Sequence, residues 1–376
     1  MKSLYWKGEI IMKRNIKMLL SFIMVIAMVV TMSVGAFAAT ADNVQQYETY
    51  TFIGDSIAAG HSLDDYYSYG AYGDGHLIKD SYAQIVNDAV GATDVRCDAM
   101  QGMNTVALRY LLDDTYEMDA ITSMLVPMLT SYRYTADSYA GMRDQFTTDI
   151  ADSDLITIGI GSNDLMYATM IDLFKLVGRD LGIGNYPTER ECLTKLIEMA
   201  NEYGTVGEVF AQLLTYVQQA DKMAQFLKIV VEDITNAQNT YTENIGVIMD
   251  KIHALNPDAT VVFVGLYNPV RDMGISEDID LSVGHVADTL IINWNTITKC
   301  TLAAKNYSNF KFASVWDTEV YECFNISDAL SFSSDFFSAI SHCVHPTVNG
   351  HAYIANQILK VLPGTDSSSI FSSLCG

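Results

Sequence analysis

Short apolar runs alternate along this chain with longer stretches in which apolar residues recur every three or four positions. The runs predict five strands, at about 51–53, 93–97, 154–160, 260–266 and 311–316. The helical spacing predicts helices between and after these strands, at about 81–90, 139–150, 293–304 and 348–361. Strands that alternate with helices in this way predict a doubly wound, parallel α/β sheet.

Residues 165–238 break this alternation and are predicted to be helical throughout. Thr188 with Glu191, and Thr205 with Glu208, have the spacing of a capping box, in which each side chain binds the other residue's backbone N–H. Two interpretations stay open. The segment is either a helical insertion packed on the core or a lid, because an insertion that follows a site loop is placed to cover the site.

Residues 1–38 are predicted to be a secretory signal rather than part of the folded domain. Lys and Arg residues within 13–17 precede an apolar run at 18–34, and small residues surround Phe at 36–38. Because the run is slightly long for a signal, an uncleaved membrane anchor is the alternative. Cleavage leaves one secreted domain, 39–376, with no second apolar run long enough to span a bilayer.

The net charge of the chain limits the classes of partner that it is expected to bind. With 45 acidic and 22 basic residues, its formal net charge is −23. This balance argues against binding to nucleic acid or to an anionic membrane surface, both of which require Lys and Arg. The six cysteines permit up to three disulfides, but none forms a C-x-x-C pair, so no zinc ribbon or thioredoxin-like site is predicted. The sequence predicts neither a disulfide pairing nor an oligomeric state.

The candidate chemistry lies in the polar loops that follow the first three predicted strands. Ser56 comes after Gly54-Asp55, Gly102 lies in the second loop, and Asn163 lies in the third. Asp-Ser after a strand is by itself more typical of a helix cap than of an active site. However, open α/β sheets place their ligands at the carboxyl ends of their strands. His345 is located just before the last predicted helix.

These residue types suit acyl transfer. A serine hydroxyl is a weak nucleophile until a base takes its proton, and an imidazole titrates in the right range for that task. Ester hydrolysis passes through an oxyanion that needs fixed hydrogen-bond donors. The N–H groups of Ser56 and Gly102 and the side-chain amide of Asn163 are the predicted donors. Gly102 has no side chain to keep a substrate oxygen from its backbone.

The chain contains, in this order, Gly54-Asp55-Ser56, Gly102, Gly161-x-Asn163-Asp164 and His345-Pro346. These segments resemble the four blocks of the GDSL/SGNH hydrolase family and follow one another in the order of that family. The resemblance implies a three-layer α/β/α sandwich around a five-stranded parallel, flavodoxin-like sheet. It also implies a serine ester hydrolase without a cofactor, and it assigns to these residues the roles given above. Asp164 is expected to be structural.

One position departs from the family. Three residues before the histidine the family usually has Asp, which orients the imidazole, and this chain has His342. Loss of that carboxylate in a serine protease costs about 10⁴-fold in rate. Three interpretations stay open: a backbone carbonyl orients His345, a carboxylate such as Asp335 or Asp317 takes the role, or activity is weak or lost.

The substrate is less constrained than the reaction. The Met-, Leu- and Phe-rich insertion favours an acyl or lipid ester, hence an esterase or lipase. The alternative is a carbohydrate esterase that deacetylates polysaccharide, against which the Tyr-rich loop 66–72 could stack. A third hypothesis, a non-catalytic glycan- or surface-binding protein on the esterase scaffold, is supported only by the missing Asp. No metal site is predicted, because His342, His345 and His351 have no acidic ligand beside them.

Overall fold

The computed structural model describes most of the core domain. It covers residues 45–69, 75–119, 122–123, 136–165, 167, 175, 188, 190–192, 194–195, 198, 220–268, 274–276, 279–316 and 345–363, with backbone alone at 136–138, 220–233, 274–276 and 279–287. Several predictions fall outside these residues: the signal at 1–38, most of the insertion, the Thr205–Glu208 capping box, His342, Asp317 and Asp335.

Seven strands lie in the described part of the chain. They are β1 Thr49–Gly54, β2 Asp94–Ala99, β3 Leu155–Gly159, β4 Thr260–Val264, β5 Gly274–Ser276, β6 Ile279–Ser282 and β7 Phe310–Ala313. Five form one parallel sheet in the order β2-β1-β3-β4-β7, which is the flavodoxin-like order. The five predicted strands and their parallel pairing are therefore confirmed. β5 and β6 form a separate antiparallel ribbon that was not predicted.

The helices cover both faces of the sheet. They are α1 Tyr82–Val90, α2 Thr105–Leu112, α3 Ala136–Gly141, α4 Arg143–Ala151, α5 Ala220–Leu255, α6 Val283–Lys305 and α7 Val348–Leu359, together with a 3₁₀ helix at Asp64–Tyr69. α1 and α7 pack on one face, and α2, α4, α5 and α6 pack on the other. This is the three-layer α/β/α sandwich that the resemblance implied.

Local signals explain where several helices begin and end. The Ser81 side chain accepts a hydrogen bond from the Gln84 N–H at the start of α1, and Gly91 ends that helix with a left-handed φ of 70°. Thr188 and Glu191 form the predicted capping box, since each accepts the other's backbone N–H, at 2.7 and 3.2 Å.

Three helix predictions need correction or extension. The single helix predicted at 139–150 is two helices, α3 and α4, which meet at the buried Met142. α6 begins about ten residues earlier than predicted, at Val283. α5 is one continuous helix that passes through position 238, the predicted end of the insertion; the limits of the insertion stay a prediction.

The sheet is buried on both faces. In β1, Tyr50 and Phe52 point towards α1 and α7, whereas Ile53 points towards the opposite helices. Successive strand side chains alternate between faces in this way, so a strand covered on both sides has to be apolar almost throughout. Within the described residues, no helix combines the length and the apolar character that crossing a membrane requires.

Gly54 and Gly159 form a close contact between β1 and β3. They are register partners at the carboxyl ends of the two strands. A Cβ atom added to Gly54 would lie 2.1 Å from the Gly159 carbonyl oxygen, and Gly54 has a φ of +154°. Because both atoms involved are backbone or fixed to backbone, neither can give way without moving a strand.

We therefore expect Gly54→Ala to destabilise the protein by at least about 2 kcal/mol, through backbone strain and this collision. Urea unfolding would measure the change. Gly141→Ala is the matched control, because its added Cβ meets nothing within 4 Å; it should change stability by less than about 1 kcal/mol. Equal stability of Gly54→Ala and the parent would contradict the importance of this contact.

Candidate active site

Ser56 lies in a tight turn that leaves the end of β1. The Asp55 carboxylate accepts the Ile57 N–H at 2.9 Å, and the Asp55 carbonyl accepts the Ala59 N–H at 3.0 Å. The His61 N–H closes the turn by donating to the Ser56 carbonyl at 2.9 Å. Ser56 is only 9% exposed. The turn therefore holds its hydroxyl in a fixed position at the carboxyl edge of the sheet.

His345 reaches Ser56 from the far end of the chain. Its Nε2 lies 2.7 Å from Ser56 Oγ, although the two residues are 289 positions apart. Thr347, two residues later, caps α7 by accepting the Gly350 N–H. Since α7 packs against α1 and the sheet, the start of this helix carries His345 over the turn. The structure thus brings together the predicted nucleophile and base.

Of the other two predicted oxyanion-hole residues, Asn163 is linked to the loop that carries Gly102. Gly102 follows β2 in a left-handed conformation, with a φ of 77°, and its carbonyl accepts the Tyr167 hydroxyl. Asn163 is buried and donates its side-chain N–H to the Met103 carbonyl at 2.9 Å. It lies in a short helical turn after β3, whereas the sequence predicted a loop. In the described residues, the backbone N–H groups of Ser56 and Gly102 donate to no protein acceptor.

Two buried carboxyl groups support these loops. Burial raises the pKa of Asp55 to about 6 and that of Asp164 to about 7, although both accept hydrogen bonds that oppose the shift. Asp164 accepts the Thr105 N–H at 2.9 Å and also the Thr105 hydroxyl. It therefore ties the turn that carries Asn163 to the start of α2, which agrees with the structural role expected of it.

Two histidines close to His345 differ in their surroundings. His351 on α7 is fully buried, and its Nδ1 accepts the Tyr82 N–H at 3.2 Å. Burial, and after it the charge of His345, lowers the pKa of His351 to about 3, so it stays neutral. The His61 ring lies 4.5 Å from the His345 ring. No role was predicted for His61 from the sequence.

Among the described residues, no group of three or more His, Cys, Asp or Glu side chains is arranged to hold a metal ion. His342, Asp317 and Asp335 lie outside the described residues. The interpretations of how His345 is oriented therefore remain predictions. The first residues of the Tyr-rich loop are described. Tyr66 is buried, whereas Tyr67 and Tyr69 are 43% and 46% exposed, and Tyr67 lies 5.9 Å from the His61 ring.

The site lies where the strand order reverses, between β1 and β3, which is the ligand-binding position of open α/β sheets. A serine hydroxyl within hydrogen-bond reach of an imidazole is the arrangement of nucleophile and base in serine hydrolases. The family model described as GDSL-like Lipase/Acylhydrolase matches residues 50–358. The chain belongs to that family, as the four sequence blocks implied, and it is a carboxylic ester hydrolase.

Solved structures with a similar chain include both lipases and carbohydrate esterases. An extracellular lipase from Streptomyces rimosus is 17% identical, with coverage of 83% of this chain and 99% of the lipase and a TM-score of 0.42. Phospholipase A1 from Streptomyces albidoflavus NA297 is 12% identical, with 87% and 99% coverage and a TM-score of 0.40. A family 3 carbohydrate esterase from Clostridium thermocellum is 10% identical, with 88% and 99% coverage and a TM-score of 0.34. A search of curated proteins gave no significant match.

The pKa of Asp164 predicts how stability depends on pH. Between about pH 4 and 7 the folded protein keeps this proton and the unfolded chain loses it, so rising pH destabilises the fold. Asp164→Asn removes this effect. The stability of the variant relative to the parent should therefore rise by about 2 kcal/mol from pH 5 to 7. Urea unfolding at several pH values would measure it.

Asp113→Asn is the control for this experiment. The Thr115 hydroxyl, and with it Lys251, lowers the pKa of Asp113. The stability that Asp113 contributes is lost only as the pH falls below its ordinary titration range. The difference between this variant and the parent should therefore be constant from pH 5 to 7. A constant difference for Asp164→Asn as well would contradict a raised pKa of Asp164.

Proposed function

We propose that this protein is a secreted esterase or lipase in which Ser56 is the nucleophile and His345 is the general base. The observation that carries the proposal is the buried 2.7 Å contact between His345 Nε2 and Ser56 Oγ. In the tautomer with its proton on Nδ1, His345 accepts the Ser56 proton as the oxygen attacks the ester carbonyl. The imidazolium then gives that proton to the leaving alcohol, and water hydrolyses the acyl-serine.

The oxyanion hole of this proposal consists of the Ser56 N–H, the Gly102 N–H and the Asn163 side-chain amide. Its support is the fixed position of each residue. Ser56 is held by the turn after β1, Gly102 is bound by Tyr167, and Asn163 is bound to the Met103 carbonyl. An amide nitrogen carries two protons, so the contact with Met103 leaves one proton of Asn163 for substrate. Donors that need no rearrangement stabilise developing charge most strongly.

Secretion is the part of the proposal that the amino-terminal sequence supports. Basic residues, an apolar run and small residues follow one another within 13–38, in the order of a secretory signal. The strongly acidic composition agrees with a protein that remains dispersed outside the cell.

The substrate proposal has two members. The apolar composition of the insertion supports an acyl or lipid ester. The exposed ring of Tyr67, 5.9 Å from the His61 ring, supports the alternative, a polysaccharide deacetylase, because an aromatic face can pack against a sugar ring. The non-catalytic hypothesis depends on His342 alone, and no described residue favours it.

The test is hydrolysis of p-nitrophenyl acetate, butyrate and octanoate by the protein without residues 1–38. Ser56→Ala should lower kcat by more than about 10³-fold on every ester, because the nucleophile is lost. Ser308→Ala is the control, because Ser308 precedes β7 and therefore lies at the amino-terminal end of the strands, opposite to Ser56. The activity of this variant should equal that of the parent. Retained turnover in Ser56→Ala would contradict the proposal. Activity on acetate alone would favour the deacetylase, and activity on octanoate the lipase.

Asn163→Ala tests the oxyanion hole. Loss of one donor should lower kcat by about 10²–10³-fold and change KM much less, because the oxyanion exists only in the transition state and intermediates. Asn256→Ala is the matched control. The Asn256 amide donates to the carbonyls of Ile150, Ala151 and Ser153, so its loss should lower the melting temperature and leave kcat of the folded enzyme unchanged. An unchanged kcat in Asn163→Ala would remove Asn163 from the oxyanion hole.

A further inference from the structure

His61 contacts the proposed base through its ring. The ring centroids of His61 and His345 are 4.5 Å apart, and the ring planes are inclined by 39°. Each residue is only 6% exposed. A separation in this range is that of packed aromatic rings, so the two imidazoles restrict each other's movement.

The position of His61 is fixed by its own neighbours. Its backbone N–H binds the Ser56 carbonyl, and its Nδ1 lies 3.1 Å from the Ser62 hydroxyl. The rings of Tyr66 and Tyr67 lie 5.0 and 5.9 Å from the His61 ring. The turn that holds the nucleophile therefore also holds His61 and leaves its ring little room to rotate.

This arrangement matters because a general base must be aligned as well as near. By itself, the hydrogen bond to Ser56 fixes only one atom of the His345 ring, Nε2, so the orientation of the ring depends on its other contacts as well. A ring packed against its face opposes such a tilt. A misplacement of about 1 Å at a reacting group costs about 10²-fold in rate.

We propose that His61 is a positioning residue that holds the imidazole of His345 in line with Ser56. The proposal rests on the proposed function, since it concerns the base of the Ser56–His345 pair. His61 acts here through the face of its ring. A role as a second hydrogen-bonding group is the competing explanation, and the two make different demands on a substitute side chain.

The experiment compares three substitutions of His61 in the protein without residues 1–38. Phe keeps an aromatic face and removes both ring nitrogens, Gln keeps polar atoms and removes the ring, and Ala removes both. For p-nitrophenyl butyrate, His61→Ala and His61→Gln should lower kcat by about 10- to 100-fold with KM changed by less than about 2-fold. His61→Phe should recover kcat to within about 3-fold of the parent.

Inactivation by a fluorophosphonate gives a second readout. The reagent reacts with the activated serine, so its second-order rate constant reports on Ser56 and His345 independently of how the ester binds. The rate constants of the variants should follow the same order as kcat. His253→Ala is the matched control, because His253 also packs against a ring, that of Tyr307 at 3.8 Å, near the end of α5 and away from the site. Its kcat and inactivation rate should equal those of the parent.

The possible results separate this proposal from the one on which it rests. If Ser56→Ala is inactive and His61→Ala matches the parent, the role of His61 is overturned and the Ser56–His345 pair stands. Higher activity in His61→Gln than in His61→Phe would overturn ring packing in favour of hydrogen bonding. Retained activity in Ser56→Ala would overturn both proposals. If His61→Ala does not fold, the comparison of the Phe and Gln variants decides the question.

Discussion

The close approach of β1 and β3 at their carboxyl ends is the constraint on which the site depends. A side chain on Gly54 would collide with the carbonyl of its register partner, Gly159. Because β1 lies between β2 and β3, the segments that leave these three strands emerge side by side. The fixed strand order of the sheet therefore places Ser56, Gly102 and Asn163 at the same end of the sheet, although they are far apart in the sequence.

His345, the fourth residue of the candidate site, is positioned by a helix and not by a strand. His345 belongs to no strand, and it reaches the sheet edge because α7 packs on α1. The two helices share an apolar core, and His351 adds a polar link by accepting the Tyr82 N–H. Burial keeps His351 neutral, so it can serve as a hydrogen-bond acceptor inside that core. His351 therefore joins the two helices.

The parts of the fold that follow from periodicity were predictable from sequence. The apolar runs located the five strands of the main sheet. The polar residues after β1, β2 and β3 could be predicted to lie close together, because the carboxyl ends of parallel strands meet at one end of the sheet. The break between α3 and α4 was not predictable, since Met142 is an ordinary buried residue with good helix propensity. The short ribbon of β5 and β6 was missed as well, because three or four residues are too few to show a period.

His61 was missed for a reason of geometry. The turn that returns it to the site passes through Gly60 and Ser62, both with a left-handed φ, of 74° and 77°. Glycine often adopts this conformation, whereas serine gives no sequence signal for it. Likewise, Asp55 and Asp164 look like ordinary polar loop residues, and only the tertiary structure buries them and raises their pKa values. Sequence periodicity locates the carboxyl ends of the strands, but it does not reveal which side chains there are buried.

The ring contact at His345 separates two tasks that a carboxylate usually performs together. A carboxylate bound to Nδ1 both orients the imidazole and stabilises the positive charge that it acquires. A ring packed against His345 restricts its orientation but supplies no negative charge comparable to a carboxylate. Under the role that we propose for His61, a family member with His342 in place of the usual aspartate retains an aligned base. In the proposed mechanism, the charge of the imidazolium is then balanced by other groups, among them the oxyanion of the substrate that is bonded to Ser56 in the tetrahedral intermediate.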